Sequence, residues 1–310
     1  MKNILITGAA GFIGSHLVDF YLNKNFKVIG IDNYMTGSIR NISHNLDNKN
    51  FYLIEHDITK ELKIKEKIDY ILHFASPASP KDYLKYPIET LQIGSIGTEN
   101  ILKIALKNKS RVLVASTSEV YGDPLVHPQT ETYFGNVNPV GPRGVYDEAK
   151  RYLEALTVAY KTVKKLNVGI IRIFNTYGPR MRVSDGRAIP NFIDQAINNK
   201  NFTVYGDGKQ TRSFCYIDDT INGINKLLES NYNLPVNIGN SKEHSILELI
   251  NTIKFKIKTK SKITFHKLPK NDPKVRRPDI TLAKKILHWR PMIDLEMGLD
   301  KTISYYKMKE

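Results

Sequence analysis

The sequence predicts an α/β protein, a doubly wound parallel sheet carrying a smaller C-terminal lobe. Three observations lead there. From residue 1 to about 174, apolar runs, turns and amphipathic stretches alternate regularly, the pattern of strand–helix units. Several of those runs are apolar without a break, as strands covered on both faces of a parallel sheet must be. The first of them passes directly into a glycine-rich turn and an apolar helix, as in open α/β sheets that bind nucleotides.

The first strand is read at 3–7 (Asn3-Ile4-Leu5-Ile6-Thr7), with a helix near 12–24 behind the turn. Strands at 27–32 and 51–55 follow, and a fourth at 69–74 leads into Ala75-Ser76-Pro77. The stretch 88–108 reads as one helix, the run around Arg111-Val112-Leu113-Val114-Ala115 as the fifth strand at 111–116. A helix over 146–166 connects it to a sixth strand at 168–174. Beyond Gly178-Pro179 the elements shorten. Ser245 and Glu248, three apart before an apolar run, form a capping box that opens a helix through about 257. A basic, proline-containing loop, Lys270 to Pro278, precedes a final pair of helices.

Composition narrows the function. A length of 310 residues with 41% hydrophobic and 25% charged content suits a soluble globular protein with a full core. The single cysteine, Cys215, excludes an intrachain disulfide framework and a multi-cysteine zinc site, and eight scattered histidines give no metal-ligand spacing. No apolar run reaches the ~20 residues of a membrane span. The chain opens on a strand, so no membrane partner and a cytoplasmic, reducing setting are expected. The net charge of +15 raises nucleic-acid binding. Against it, the lysines are dispersed, whereas seven of the 12 arginines (Arg143, Arg151, Arg172, Arg180, Arg182, Arg187, Arg212) fall within 70 residues. That clustering suits a small anionic ligand better.

The glycine turn, Gly8-Ala9-Ala10-Gly11-Phe12-Ile13-Gly14, lets backbone approach a pyrophosphate at a helix N-terminus. Asp32 ends the second strand, 18 residues beyond Gly14, where a carboxylate accepts ribose hydroxyls and repels a 2′-phosphate. Asn33 follows, with no arginine beside it, so NAD is expected over NADP. Thr36 and Gly37 are counted with this group, Asp57 and Ile58 with the adenine ring, and Ala75 with the cofactor wall; Asp57 also suits a helix cap. Residues 1–178 are assigned to this Rossmann-type domain, to which later segments return, and 179–310 mainly to a substrate lobe.

The chemistry is expected at Ser116-Thr117-Ser118-Glu119-Val120-Tyr121-Gly122 and at Tyr146, one helical turn before Lys150. The spacing alone is common here, since Tyr160/Lys164, Tyr205/Lys209 and Tyr305/Lys309 share it. Only Tyr146 follows the Thr117-Ser118-Glu119 strand end by a single loop. Together these side chains supply a base, a cation beside it, a hydrogen-bond donor and a second acid/base group.

These residues resemble the extended short-chain dehydrogenase/reductase family, and within it the branch that decarboxylates UDP-glucuronate. The likeness runs through Asp32-Asn33, His73 to Pro80, Ala115 to Pro124 and Tyr146-Asp147-Glu148-Ala149-Lys150. It continues in Arg172 to Met181, Gln210 to Phe214, Asp272-Pro273 and Arg276-Arg277-Pro278-Asp279. Ser118-Glu119 discriminates: dehydrating relatives carry Asp-Glu there, and epimerases usually small or neutral residues. Two positions depart from the pattern, Gly94 for a frequent asparagine and Ala149 for a frequent glycine.

The resemblance implies a homodimer using NAD, with Tyr146 and Lys150 also touching the cofactor. It implies that Tyr146 takes the 4-hydroxyl proton, Thr117 holds the reacting oxygen, and Ser118 and Glu119 manage the carboxylate and the proton at C5. Arg276 would hold the carboxylate, and Asn175, Arg180, Tyr205 and Arg212, with Arg276, the nucleotide sugar. Lowering the Tyr146 phenol about three pH units requires about 4 kcal/mol, expected from Lys150 and the nicotinamide. The alternatives are another nucleotide-sugar enzyme of the fold, a 4-epimerase or a decarboxylase releasing a 4-keto pentose, and a silent, basic nucleic-acid-binding protein. For the dimer, a stripe on the 146–166 helix (Ala149, Tyr152, Leu153, Leu156, Ala159, Tyr160, Val163) is the expected interface.

Overall fold

A computed structural model describes residues 1–267 and 275–308. Its centre is a seven-stranded parallel sheet. Six strands come from the first 173 residues: β1 Asn3–Thr7, β2 Lys27–Asp32, β3 Phe51–Glu55, β4 Tyr70–His73, β5 Arg111–Thr117 and β6 Val168–Ile173. They lie in the order β3-β2-β1-β4-β5-β6, and Pro235–Ile238 adds the seventh strand beyond β6. The order reverses direction between β1 and β4, where open α/β sheets leave a crevice at their carboxyl ends.

Alternation along each strand divides the interior in two. Ile4, Ile6, Val28 and Leu113 join a core on one side, against α1 (Phe12–Asn23), while Leu5, Ile29, Val112 and Val114 join a core on the other. Both faces are covered, which is why β5 is buried at every residue and reads as an unbroken apolar run.

The expected helix over 88–108 is three pieces, with a further short helix just before it. Pro80 and Pro87 each open a short helix, α2 (Pro80–Lys85) and α3 (Pro87–Gln92), since proline suits a first turn but not an interior. A π-type turn, Ile93–Gly97, then leads into α4 (Thr98–Asn108). The long α5, Gly144–Lys164, runs back under the sheet from the site to β6. The capping box is present in full at the start of Ile246–Ile257, with Ser245 and Glu248 exchanging both hydrogen bonds. The closing helices are Thr281–Leu287 and Leu295–Lys307; the Lys270 end of the loop before them, with Asp272 and Pro273, lies outside the described residues.

Later chain is woven into the sheet rather than set apart. Helix Ile217–Glu229 packs against α1 and precedes the seventh strand, so segments on both sides of residue 178 complete one layer. The smaller lobe, over the carboxyl edge, pairs Phe202–Tyr205 with Ile263–His266 and Thr211–Ser213 with Glu243–Ser245. Among the described residues no helix is long and apolar enough to cross a membrane.

Beneath the carboxyl edge a polar chain joins four segments. Arg172 on β6 grips Glu154 of α5 with two bonds, 2.8 and 2.7 Å, and donates to the Tyr121 hydroxyl at 2.9 Å. Tyr121 in turn donates to Asn237 of the seventh strand at 2.7 Å. With side chains only 11% and 13% exposed, the Arg172–Glu154 pair cannot lose one member cheaply. Arg172→Met should therefore lower unfolding free energy by about 3–5 kcal/mol in urea titration; a loss below about 1 kcal/mol, the range of exposed pairs, would contradict this account.

Candidate active site

A cavity of about 760 Å³ occupies the crevice between the sheet's carboxyl edge and the smaller lobe. At one end the glycine turn bends at Gly8 (φ +72°), where a Cβ would meet the Ala75 backbone at 2.9 Å. A Cβ on Gly14 would lie 1.9 Å from the Gly8 carbonyl, so α1 starts tight against the turn and only glycine fits. Gly11 caps α1 with no side-chain hydrogen bond, leaving the helix start to be met by backbone or ligand alone.

Asp32 lies beside this turn. Ala10 and Tyr34 N–H groups donate to its two carboxylate oxygens at 2.9 and 2.8 Å. Burial raises its pKa above the ordinary carboxylate value, and those backbone bonds oppose the rise. Gly37 sits against the carboxylate, which a Cβ would approach at 2.9 Å, while Asn33 and Thr36 line the cavity wall. Farther on, Asp57 accepts from both the Thr59 N–H and hydroxyl at 2.9 Å, closing a turn that no helix follows, so it is not the helix cap the sequence suggested; it also lines the cavity with Ile58. Its neighbour His56, which the sequence reading passed over, lines the same region with a buried Nε2 that no described residue satisfies. Glycines that a Cβ would clog, a carboxylate fixed beside the turn and an orphaned ring nitrogen together fit a dinucleotide.

The other half of the crevice is built on the end of β5. The Thr117 hydroxyl is hydrogen-bonded to the Tyr146 phenol and accepts the Glu119 N–H at 3.3 Å. Lys150 donates to the Ala115 carbonyl at 2.8 Å, and its ammonium lies 5.7 Å from the centroid of the Tyr146 ring. Tyr83 of α2 stacks on that ring at 5.1 Å and 9°. His73, below, bridges Thr7 and Thr98 at 2.9 and 3.1 Å; burial pushes its pKa down to about 3, so it is a neutral structural ring.

The protonation pattern differs from the sequence-based expectation. Burial pushes the Tyr146 phenol up to about 12, against the Thr117 hydrogen bond and the Arg187 charge, and pushes the Lys150 ammonium down to about 8. The lysine reaches a strand carbonyl and the face of the tyrosine ring. The expected depression of the phenol by Lys150 is not present here.

Ser118 is buried at the turn, and Glu119 is held between two guanidiniums, Arg143 on one oxygen and Arg276 on the other. Arg276, from far along the chain, also donates to the Gly122 carbonyl at 3.0 Å. Burial lowers its pKa to about 10, still a cation at neutral pH. Arg143 was visible in the sequence only as one of the clustered arginines, three residues before Tyr146; Tyr83 gave no signal at all.

Asn175, just past β6, and Tyr205 and Arg212 of the smaller lobe line the cavity, with the buried Gln210 Oε1 unsatisfied among the described residues. Arg180 lines it too, but one guanidinium nitrogen donates to Asp19 of α1 at 2.5 Å, tying the lobe to the sheet, and its Nη1 is buried with no described hydrogen-bond partner.

The two departures from the family pattern touch each other. A Cβ on Gly94, in the π-type turn, would lie 2.8 Å from the Ala149 carbonyl and 2.9 Å from the Ala149 Cβ. The methyl that replaces a hydrogen on α5 is matched by a side chain lost from the facing turn.

A parallel sheet with a glycine-turn cradle, and a tyrosine–lysine pair beside a Ser/Thr strand end, defines a short-chain dehydrogenase/reductase. The family model described as GDP-mannose 4,6 dehydratase matches residues 5–302. The chain is 49% identical over 306 residues to UDP-glucuronic acid decarboxylase 1 of Xenopus tropicalis, covering 99% of this chain and 72% of that protein. It is 48% identical to UDP-glucuronic acid decarboxylase 6 of Arabidopsis thaliana, covering 96% and 86%. Among solved structures, a UDP-glucuronic acid 4-epimerase from Bacillus cereus, in complex with UDP-glucuronic acid and NAD, superposes with a TM-score of 0.88 at 31% identity and full coverage of both chains. A UDP-glucose 4-epimerase from Thermotoga maritima, with UDP-glucose, gives 0.92 at 27%, covering 99% of each. The chain thus belongs to the GDP-mannose 4,6 dehydratase family and, within it, to the family of UDP-glucuronic acid decarboxylases.

The Gly94–Ala149 contact can be tested by thermodynamic coupling. Gly94→Asn should cost about 1–3 kcal/mol by overpacking, and Ala149→Gly about 1 kcal/mol as a helix glycine. Together they should cost clearly less than the sum, read from urea unfolding; strict additivity would show that the two positions are independent.

Proposed function

We propose that this protein is a NAD-dependent decarboxylase that converts UDP-glucuronate to UDP-xylose. The observation that carries the reading is Glu119, set between Arg143 and Arg276 at the strand end that also places Thr117 beside Tyr146. A carboxylate with two arginines beside an alcohol-oxidising pair suits a sugar acid better than a neutral sugar. The names of the relatives point the same way.

NAD would be held by Gly8, Gly11, Phe12, Ile13, Gly14, Asp32, Asn33, Thr36, Gly37, Asp57, Ile58, Ala75, Tyr146 and Lys150, and would supply reversible hydride chemistry at C4. Tyr146 takes the proton of the 4-hydroxyl through its phenol oxygen, and Thr117 orients that oxygen. The raised Tyr146 pKa means that the base forms only when further positive charge enters the site. Once C4 is a ketone, the carboxylate is β to a carbonyl and carbon dioxide can leave with its electrons delocalised into an enolate. Arg276 holds the carboxylate before that step, while Ser118 and Glu119 govern protonation at C5. Asn175, Arg180, Tyr205 and Arg212 hold the nucleotide portion. Residues 1–178, with the returning strand, serve the cofactor, and 179–310 mainly the nucleotide sugar. A cytoplasmic setting suits a chain whose one thiol, Cys215, is buried.

The protein is proposed to act as a homodimer, through a face different from the stripe read in the sequence. Ala149, Leu153, Leu156 and Tyr160 turn into the protein, whereas Tyr152, Ala159 and Val163 are exposed. Leu84, Ile88 and Leu91 on the neighbouring α2 and α3, and Ile96 in the π-type turn after them, are exposed as well, and α3 packs on α5. Light scattering at micromolar concentration should give twice the chain mass, and Ile88→Glu with Leu91→Glu should shift it toward one chain; a wild-type monomer would remove the proposal.

The chemical reading is tested by the product. Wild-type protein given UDP-glucuronate should release carbon dioxide and UDP-xylose without net consumption of NAD. Tyr146→Phe should bind UDP-glucuronate yet lose about 10²–10⁴-fold in turnover with no reduced cofactor formed, whereas Glu119→Gln should slow product formation after oxidation. Formation of UDP-galacturonate in place of carbon dioxide would replace this reading with the 4-epimerase one.

A further inference from the structure

The first turn of α5 carries a second carboxylate that the chemistry above leaves unused. Asp147 is only 4% exposed, and none of the described residues hydrogen-bonds its Oδ1. It lines a smaller cavity of about 240 Å³, together with Gly122, Asp123, Asn136, Asn138 and Arg143. One of the two groups that hold Glu119 also bounds this second space. Arg143 lines both cavities, and Gly122, whose carbonyl accepts from Arg276, lines the smaller one.

Arg143 and Asp147 are four residues apart at the start of α5, so their side chains share a face. The Arg143 guanidinium binds Glu119 in the active site, and its charge also acts on Asp147 in the cavity behind it. Burial pushes the Asp147 carboxyl up to about 7, opposed first by Arg143; Glu148 and Arg151 also act on it, and Asp123 shares its cavity. A buried carboxylate without a full set of partners is costly, which makes Asp147 a ready acceptor for a guanidinium.

We propose that Asp147 is a positioning residue that draws Arg143 away from Glu119 during turnover, so that Glu119 can deliver the proton to C5. The inference rests on the decarboxylase reading. A carboxylate held by two guanidiniums resists protonation, so Glu119 as found here is poorly suited to give a proton to carbon. The substrate carboxylate competes for Arg276, and ionised Asp147 competes for Arg143. Asp147 releases one proton and Glu119 gains one, so the charge of the cluster is unchanged. The C5–carboxyl bond then breaks, its electrons pass into the enolate, and they return to form the new C5–H bond with the Glu119 proton; solvent reprotonates the cluster.

A double-mutant cycle on the full chain, with NAD and UDP-glucuronate, tests this. Asp147→Asn should lower kcat for carbon dioxide release about 10-fold or more while leaving KM within about 2-fold, and should prolong the transient of reduced cofactor. In a Glu119→Gln background the same change should cost less than about 2-fold, because the step it serves is already lost. Should Asp147→Asn fail to fold, Arg143→Lys, which keeps the charge but not the fork, should show the same dependence on Glu119. Equal losses in both backgrounds, or full activity of Asp147→Asn, would overturn the inference alone. A wild-type protein that releases no carbon dioxide from UDP-glucuronate would overturn the underlying reading and the inference with it.

Discussion

Three residues at the end of β5, Ala115 to Thr117, are the fixed point from which the rest of the site is measured. The Ala115 carbonyl takes the Lys150 ammonium, the Ser116 hydroxyl donates to Glu154 at 2.5 Å, and Thr117 meets the Tyr146 phenol. Tyr146, Lys150 and Glu154 follow at intervals of four on α5, so one polar stripe of that helix faces one strand end. A strand with every residue buried cannot shift along the helix without pulling lysine and glutamate from their partners. The register between α5 and β5 is therefore set by polar contacts, while apolar packing on either side supplies the adhesion.

That arrangement is expensive in stability. Burial disfavours the Lys150 ammonium, and the Glu154, Arg172 and Glu119 charges are all largely withdrawn from water. Apolar replacements of similar volume would make a steadier protein. What the polar stripe secures is geometry: a phenol, a hydroxyl and an ammonium held together where a sugar alcohol can reach them. His73, buried and neutral between Thr7 and Thr98, fixes the adjoining end of β4 without adding another charge.

Much of this was legible in the sequence where the signal is local. The glycine turn, Asp32 and the six early strands announce themselves through residues within a few positions of one another. Contacts between distant segments were not legible from spacing. Nothing near Glu119 identifies Arg276 as its partner, and only family resemblance placed that arginine at the site. Tyr83, which stacks on Tyr146, sits on a short proline-opened helix ahead of the helix the sequence shows at 88–108. The stripe on α5 divides, Ala149 and Leu153 packing inward and Tyr152 and Val163 lying exposed, because apolar residues at helical spacing serve the inner face and the outer one alike. Gly94 and Ala149, each odd alone, make sense only as a contact.

The seventh strand has a consequence for how the chain is made. β6 can pair on its outer side only with Pro235–Ile238, about 60 residues later in the chain. At ribosomal rates of ~5–20 residues per second, that edge stays open for roughly 3–12 s after its own synthesis. During those seconds Val168, Ile170 and Ile171, all buried in the finished protein, border a row of unpaired backbone groups. The nascent chain thus carries a temporary adhesive margin, and shielding it on the ribosome is part of what this topology demands of the cell.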